Sequence, residues 1–190
     1  MKENLVIGIT GLNGAGKGTV VEHLVKDKGF LHYSASDLIV EEIERRGGSV
    51  DREAMIRTGN SLREKYGPGY LAEELLRRAA KKGGRAIIES IRTVGEVDSL
   101  RKMSEDFVLL AVEAEQGIRF ERIRKRGSAK DKVGFEEFVD QERRESSSTD
   151  KNKQNLMAVS RLADFRINND GSLIDLEKEI NDLLEKIDER

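Results

Sequence analysis

The sequence predicts an α/β domain in which a parallel β-sheet is covered on both faces by helices. Short β-rich runs alternate with helix-length amphipathic segments along all 190 residues. One of the runs, Phe107-Val108-Leu109-Leu110-Ala111-Val112, is continuous and apolar, as strands buried on both faces of a parallel sheet are. No repeat or low-complexity linker breaks the alternation, and the length suits one hydrophobic core.

Leu5–Ile9 is the first strand, and a glycine-dense turn leads from it to a helix over Val20–Lys26. Gly29–Ser34 reads as a turn and a short second strand. From Asp37 to Gly84 the chain is far longer than the dozen or so residues a crossover needs. The surplus predicts a helical insertion, with helices at Leu38–Arg46, Arg52–Tyr66 and Gly69–Lys82. Gly47-Gly48 and Gly67-Pro68-Gly69 break it. Ala86–Glu89 is a buried third strand that ends in an acid, and Thr93–Ser104 is a helix. The fourth strand, Phe107–Val112, precedes a basic helix at Gln116–Arg126. A loop at Gly127–Asp131, a helix at Phe135–Glu145 and a polar break at 146–150 follow. Leu156–Leu162 is helical and Ala163–Ile167 is the fifth strand. The last helix opens at Ser172, with Asp175 three residues on as a partial capping box and Leu176, Ile180, Leu183, Leu184 and Ile187 on one stripe.

A net charge of −2 offers no basic field for a nucleic acid polymer. No apolar stretch approaches a membrane span. The absence of Cys excludes disulfides and thiolate metal sites. No cleavable leader is visible at Met1–Asn4, so the expected compartment is the cytoplasm. Charged residues make up 37%, which fits either heat adaptation or long helices with solvated faces.

The chemistry starts at Gly11-Leu12-Asn13-Gly14-Ala15-Gly16-Lys17-Gly18-Thr19. Gly11, four residues, Gly16 and Lys17 match the phosphate-binding loop, whose backbone N–H groups converge on a polyphosphate. Lys17 would reach the β- and γ-phosphates, and the positive end of the next helix adds attraction. Gly18 stands where a magnesium-ligating Ser or Thr is usual, with Thr19 one place later. A dinucleotide-binding reading fails because Thr19 occupies the place of the third glycine.

Gly-Lys-Gly-Thr in the loop comes first, then Ser-x-x-Asp at Ser34–Asp37 and the Glu89-Ser90-Ile91-Arg92 run. An arginine-rich helix and Asn169-Asp170-Gly171-Ser172 follow. In this order they resemble a P-loop kinase of the adenylate kinase or nucleoside monophosphate kinase type, close to archaeal adenylate-kinase-related and dephospho-CoA-kinase-like proteins. The resemblance implies a three-layer α/β/α P-loop NTPase fold with a five-stranded parallel sheet. It implies a single kinase domain with its core at 1–36, 85–126 and 150–190, an acceptor-binding helical insertion at 37–84 and a lid at 127–149. It also implies ATP and Mg²⁺, with magnesium held largely by phosphates and water.

The resemblance carries over residue by residue. Gly11, Asn13, Gly14, Ala15, Gly16, Lys17, Gly18 and Thr19 would bind the donor phosphates, and Asn169 and Gly171 would lie against its adenine. Asp37 would face the acceptor, as general base for a hydroxyl or as an orienting group for a phosphate; an N-cap for the next helix is the bland alternative. The arginine usual three residues after this Asp is Val40, leaving Arg57 or Arg63 to grip the acceptor phosphate. Glu89 would hold water around Mg²⁺, the alternative being a solvated strand end. Arg92 would clamp the acceptor, with Ser90 in place of the pattern's glycine. Arg119, Arg122 and Arg126 share a helical face; Arg122 and Arg126 would offset charge on the moving phosphoryl. Arg143 and Arg144 are further lid candidates, with Glu142 and Glu145 as possible local partners. His23 and His32 have no ligand-like partners by spacing and read as structural.

The expected activity is transfer of the ATP γ-phosphoryl to a small acceptor, a nucleoside monophosphate first. The alternatives are dephospho-CoA kinase-like transfer to a hydroxyl, or a nucleotide-gated ATPase or switch. The expected partner is a small molecule, with neither nucleic acid nor membrane, and the expected state is a monomer or small homo-oligomer. Asn152-Lys153-Gln154-Asn155 lacks the Asp of a guanine-reading motif.

Overall fold

The computed structural model describes residues 2–127, 134–146, 148–150 and 152–189. The order is β1 (Val6–Thr10), α1 (Lys17–Lys26), β2 (Leu31–Ser34), α2 (Ala35–Arg45), α3 (Arg52–Tyr66), α4 (Tyr70–Lys82) and β3 (Ala86–Glu89). Then come α5 (Val94–Met103), β4 (Phe107–Glu113), α6 (Gln116–Arg126), α7 (Phe135–Ser146), α8 (Leu156–Arg161), β5 (Phe165–Asn168) and α9 (Leu173–Asp188). Among the described residues the strands form one five-stranded sheet, ordered β2-β3-β1-β4-β5 and parallel throughout.

Strand side chains alternate between two cores. Ile7, Ile9, Ile87, Leu110 and Val112 pack against α1 and α9. Val6, Ile88 and Leu109 face α2, α4, α5 and Val159 of α8. Burial on both faces is why β1, β3 and β4 read as apolar runs, whereas the edge strands β2 and β5 are only partly buried and carry polar residues. Gly8 lets the second core close in, since a Cβ there would lie 2.5 Å from Ile91 Cδ1 and 2.7 Å from Phe107 Cε2.

Two helices begin earlier than the sequence suggests. α1 starts at Lys17, with Gly16 as N-cap at φ 95°, because the loop hands straight over to the helix. α2 starts at Ala35, where Ser34 Oγ accepts the Asp37 N–H at 3.2 Å. Asp37 is therefore a first-turn acid, not the cap. The expected loop at 127–131 and the lid segment 127–149 lie partly outside the described residues, at 128–133 and 147.

A buried ion pair joins the helical insertion to the core. Arg63 of α3 and Glu96 of α5 are each 1% exposed and meet at 2.9 Å. Glu96 also caps its own helix: Oε2 accepts from the N–H groups of Arg92 and Thr93, and the Thr93 hydroxyl accepts from Glu96 N. A buried charge stripped of its partner is costly. Glu96→Gln is expected to lower stability by about 3 kcal/mol or more in urea unfolding. A loss below about 1 kcal/mol, typical of a surface pair, would contradict this.

Candidate active site

The loop between β1 and α1 sits at the carboxyl ends of the strands, where doubly wound sheets hold ligands. Its backbone wraps too closely for side chains. Gly11, Gly14 and Gly16 have φ of 144°, 80° and 95°. A Cβ on them would meet Val112 O at 2.3 Å, Arg119 O at 2.5 Å and Asn169 Nδ2 at 2.0 Å. The loop is thus clamped from beneath by β4, α6 and the β5–α9 turn. Asn169 is 5% exposed, and its amide donates to Ala15 O at 2.9 Å. Its side chain supports the loop; Gly171 is exposed beside the cap of α9, with Asp175 as its near neighbour.

On the open side lies a cleft of about 470 Å³. It is lined by Lys17, Thr19, Glu89, Arg122 and Arg126 among others. Lys17 Nζ donates to Gly11 O and Leu12 O of its own loop at 2.8 and 3.0 Å. Burial lowers its pKa from 10.5 to about 8; Arg92 pushes the same way, and Glu89 and Glu145 oppose. Burial would raise Glu89, but a hydrogen bond with His32 Nε2 at 3.0 Å and the charge of Lys17 outweigh it and hold the carboxyl below its usual value. His32 is thus tied to a site residue. Arg122 Nη1 is buried without a hydrogen-bond partner in the described structure.

This cleft fits a polyphosphate: the glycine-lined cradle, the lysine and the unpaired Arg122 donor all call for oxygen acceptors. It fits Mg²⁺ only in part. Thr19 and Glu89 line it, and no group of three or more His, Cys, Asp or Glu suited to a metal exists among the described residues. Such an ion would take most of its ligands from phosphate and water.

A second cleft, of about 380 Å³, shares Asn13 and Arg126 with the first. Ala35, Ile39, Met55 and Ile56 form its apolar wall; Ser36, Ser90, Arg52, Arg63, Arg92 and Gln154 bring polar groups. Ser90 has φ 69°, the sole positive value for a non-glycine among the described residues. This backbone strain sits just past the end of β3, two residues before Arg92, which lines the cleft. Of the residues expected here, Arg63 and Arg92 line the cleft, whereas Asp37 and Arg57 do not. Asp37 is exposed on the first turn of α2. Arg57 is exposed on α3 and paired with Glu53 at 3.3 Å. The cleft side of α3 runs through Arg52, Ile56 and Arg63, and position 57 is turned well off that line.

α7 meets the cleft with acids rather than the expected arginines. Glu145 Oε1 accepts from Arg52 at 2.6 Å and Oε2 from Arg92 at 3.1 Å. One turn earlier, Glu142 takes Arg119 of α6. Arg143 and Arg144 are exposed, Arg143 with Asp140. Arg126 donates to Asn13 Oδ1 at 3.3 Å.

The AAA domain family matches residues 10–139. The UPF0200 protein of Pyrococcus abyssi (strain GE5 / Orsay) is 33% identical over 188 residues, spanning 96% of this chain and 97% of its own. The chain belongs to the AAA-domain family and to the UPF0200 proteins. Two solved structures share the fold of this UPF0200 chain. TT1252 from Thermus thermophilus has a TM-score of 0.65 at 22% identity, covering 97% of this chain and 98% of its own. A gluconokinase from Sinorhizobium meliloti 1021 has a TM-score of 0.59 at 12% identity, covering 98% and 97%. The fold is the α/β P-loop NTPase fold, shared with that gluconokinase, and no described helix is long and apolar enough to cross a membrane.

Lys17 gives a pH-dependent test. Its folded pKa lies below its unfolded one, so the folded chain bears an unfavourable charge below pH 8. That cost fades between about 8 and 10.5 as both states lose the proton. Lys17→Met is expected to melt higher than the parent near pH 7, the gain shrinking as pH rises through that window. A gain that grows with pH would refute the assignment.

Proposed function

We propose that this UPF0200 protein is an ATP-dependent phosphotransferase that moves the γ-phosphoryl group to a nucleoside monophosphate. What supports the reading is the continuity of the two clefts: a phosphate cradle on one side and an arginine-lined, partly apolar pocket on the other, with Arg126 and Asn13 as their common wall.

In this reading Lys17 leaves the carbonyls of Gly11 and Leu12 for the donor's β- and γ-oxygens. Arg122 supplies its unpaired donor to the same triphosphate. Arg126, bordering both clefts, follows the group in flight and offsets its charge. Mg²⁺, when bound with the nucleotide, would neutralise the β- and γ-oxygens, with Glu89 holding its waters. Arg92 holds the acceptor phosphate, and the apolar wall of Ile39, Met55 and Ile56 takes its base.

A phosphate acceptor suits this cleft better than a hydroxyl, which calls for a general base. Glu145 is the one carboxylate among the described lining residues, and both its oxygens are held by arginines. The chain's fold likeness to a gluconokinase therefore does not extend to a visible base for a sugar hydroxyl. A switch without an acceptor would have no use for the second cleft.

A coupled assay over nucleoside monophosphates, nucleosides and dephospho-CoA tests the reading; turnover is expected with a monophosphate. In that assay Arg92→Ala should raise the acceptor KM roughly tenfold or more, the worth of a hydrogen bond to a charged group, with the ATP KM near the parent's. Parent-like acceptor kinetics would remove Arg92 from the site.

A further inference from the structure

We infer that the Glu145 carboxylate occupies the seat of the acceptor's anionic group, and that Arg52 is the second half of that seat with Arg92. The inference rests on the phosphotransferase reading above and adds to it a residue pair and a competitor.

Three separate parts of the chain converge on one point: the start of α3, the turn after β3, and the last turn of α7. Arg52 and Arg92 come with side chains about a quarter exposed, at 24% and 25%, while the Glu145 side chain is 9% exposed. All three line the 380 Å³ cleft. A carboxylate gripped by two guanidinium groups shares the sign of charge and the paired acceptor oxygens of a phosphate monoester gripped in the same way, though it carries less charge. α7 has other anchors besides Glu145. Glu142 already ties α7 to Arg119, and Phe135 and Phe138 pack on Phe120 of α6 at 5.1 and 5.5 Å. Gln154 also accepts from Arg92 Nη1, at 2.8 Å, so Arg92 keeps a polar contact when Glu145 leaves. An incoming anion thus exchanges one set of charge-assisted hydrogen bonds for another. An acceptor without an anionic group cannot make that exchange, which gives the cleft a means of choosing charged acceptors.

The test uses the full chain and inorganic phosphate as probe, titrated by calorimetry with the loop saturated by a non-hydrolysable ATP analogue. Glu145→Gln is expected to bind phosphate about tenfold more tightly than the parent. Glu145→Asp, too short to span both arginines, should show a smaller gain and serves if the Gln variant folds poorly. Adding Arg52→Gln should abolish the gain. Glu136→Gln, on the exposed face of α7, controls for loss of charge alone and should change nothing. Unchanged or weaker phosphate binding in both Glu145 variants, a gain that survives Arg52→Gln, or an equal gain in the Glu136 control would overturn the inference. Tighter phosphate binding with no monophosphate turned over would sink the proposed activity and leave the anion seat standing.

Discussion

The closeness with which the backbone wraps between β1 and α1 governs the rest of the site. At Gly11, Gly14 and Gly16 there is no room for a single extra carbon, because Val112, Arg119 and Asn169 press on the loop from behind. The cleft opens on the other side of the loop, where Gly14, Gly16, Gly18 and Thr19 line it, and the macrodipole at the start of α1 favours anions there. Lys17, half-buried and bonded to its own loop, carries the electrostatic strain of the arrangement in a lowered pKa.

Charge around that cradle is arranged as alternating partners. Lys17 feels Arg92 and Arg126 as repulsion and Glu89 and Glu145 as attraction. Glu142 and Glu145, one turn apart on α7, hold arginines of different elements, Arg119 from α6 and Arg52 and Arg92 from the second cleft. α7 is thus tied through carboxylates to α6 and to the second cleft. Under the proposed function an acceptor phosphate would compete with Glu145 for Arg52 and Arg92, which would couple its binding to the contacts of this helix.

Much of the fold was legible in the sequence because the central strands β1, β3 and β4 are largely buried and the helices are periodic. The phosphate loop was legible because its glycines answer to backbone geometry alone. The acceptor side was legible only in part. Arg52 lies on a visible series with Ile56, Gly59 and Arg63, but which arginines of α3 face the cleft depends on how the helix is rolled. That roll is set by packing of Leu62 and by the buried Arg63–Glu96 pair, contacts far apart in the chain. Glu142 and Glu145 stand beside Arg143 and Arg144 in sequence, so local pairing looked natural, yet their partners are remote. His32 met Glu89 for a similar reason: β2 and β3 are neighbours in the sheet, with Ser34 opposite Glu89, and strand order is not written in spacing.

The most direct measurement of the central claim is a calorimetric titration of the parent chain with Mg·ATP, repeated with Lys17→Ala. The account requires saturable one-to-one binding to the parent and a marked loss of affinity in the variant while its circular dichroism stays native. No heat of binding to the parent, or equal affinity in both, would contradict it.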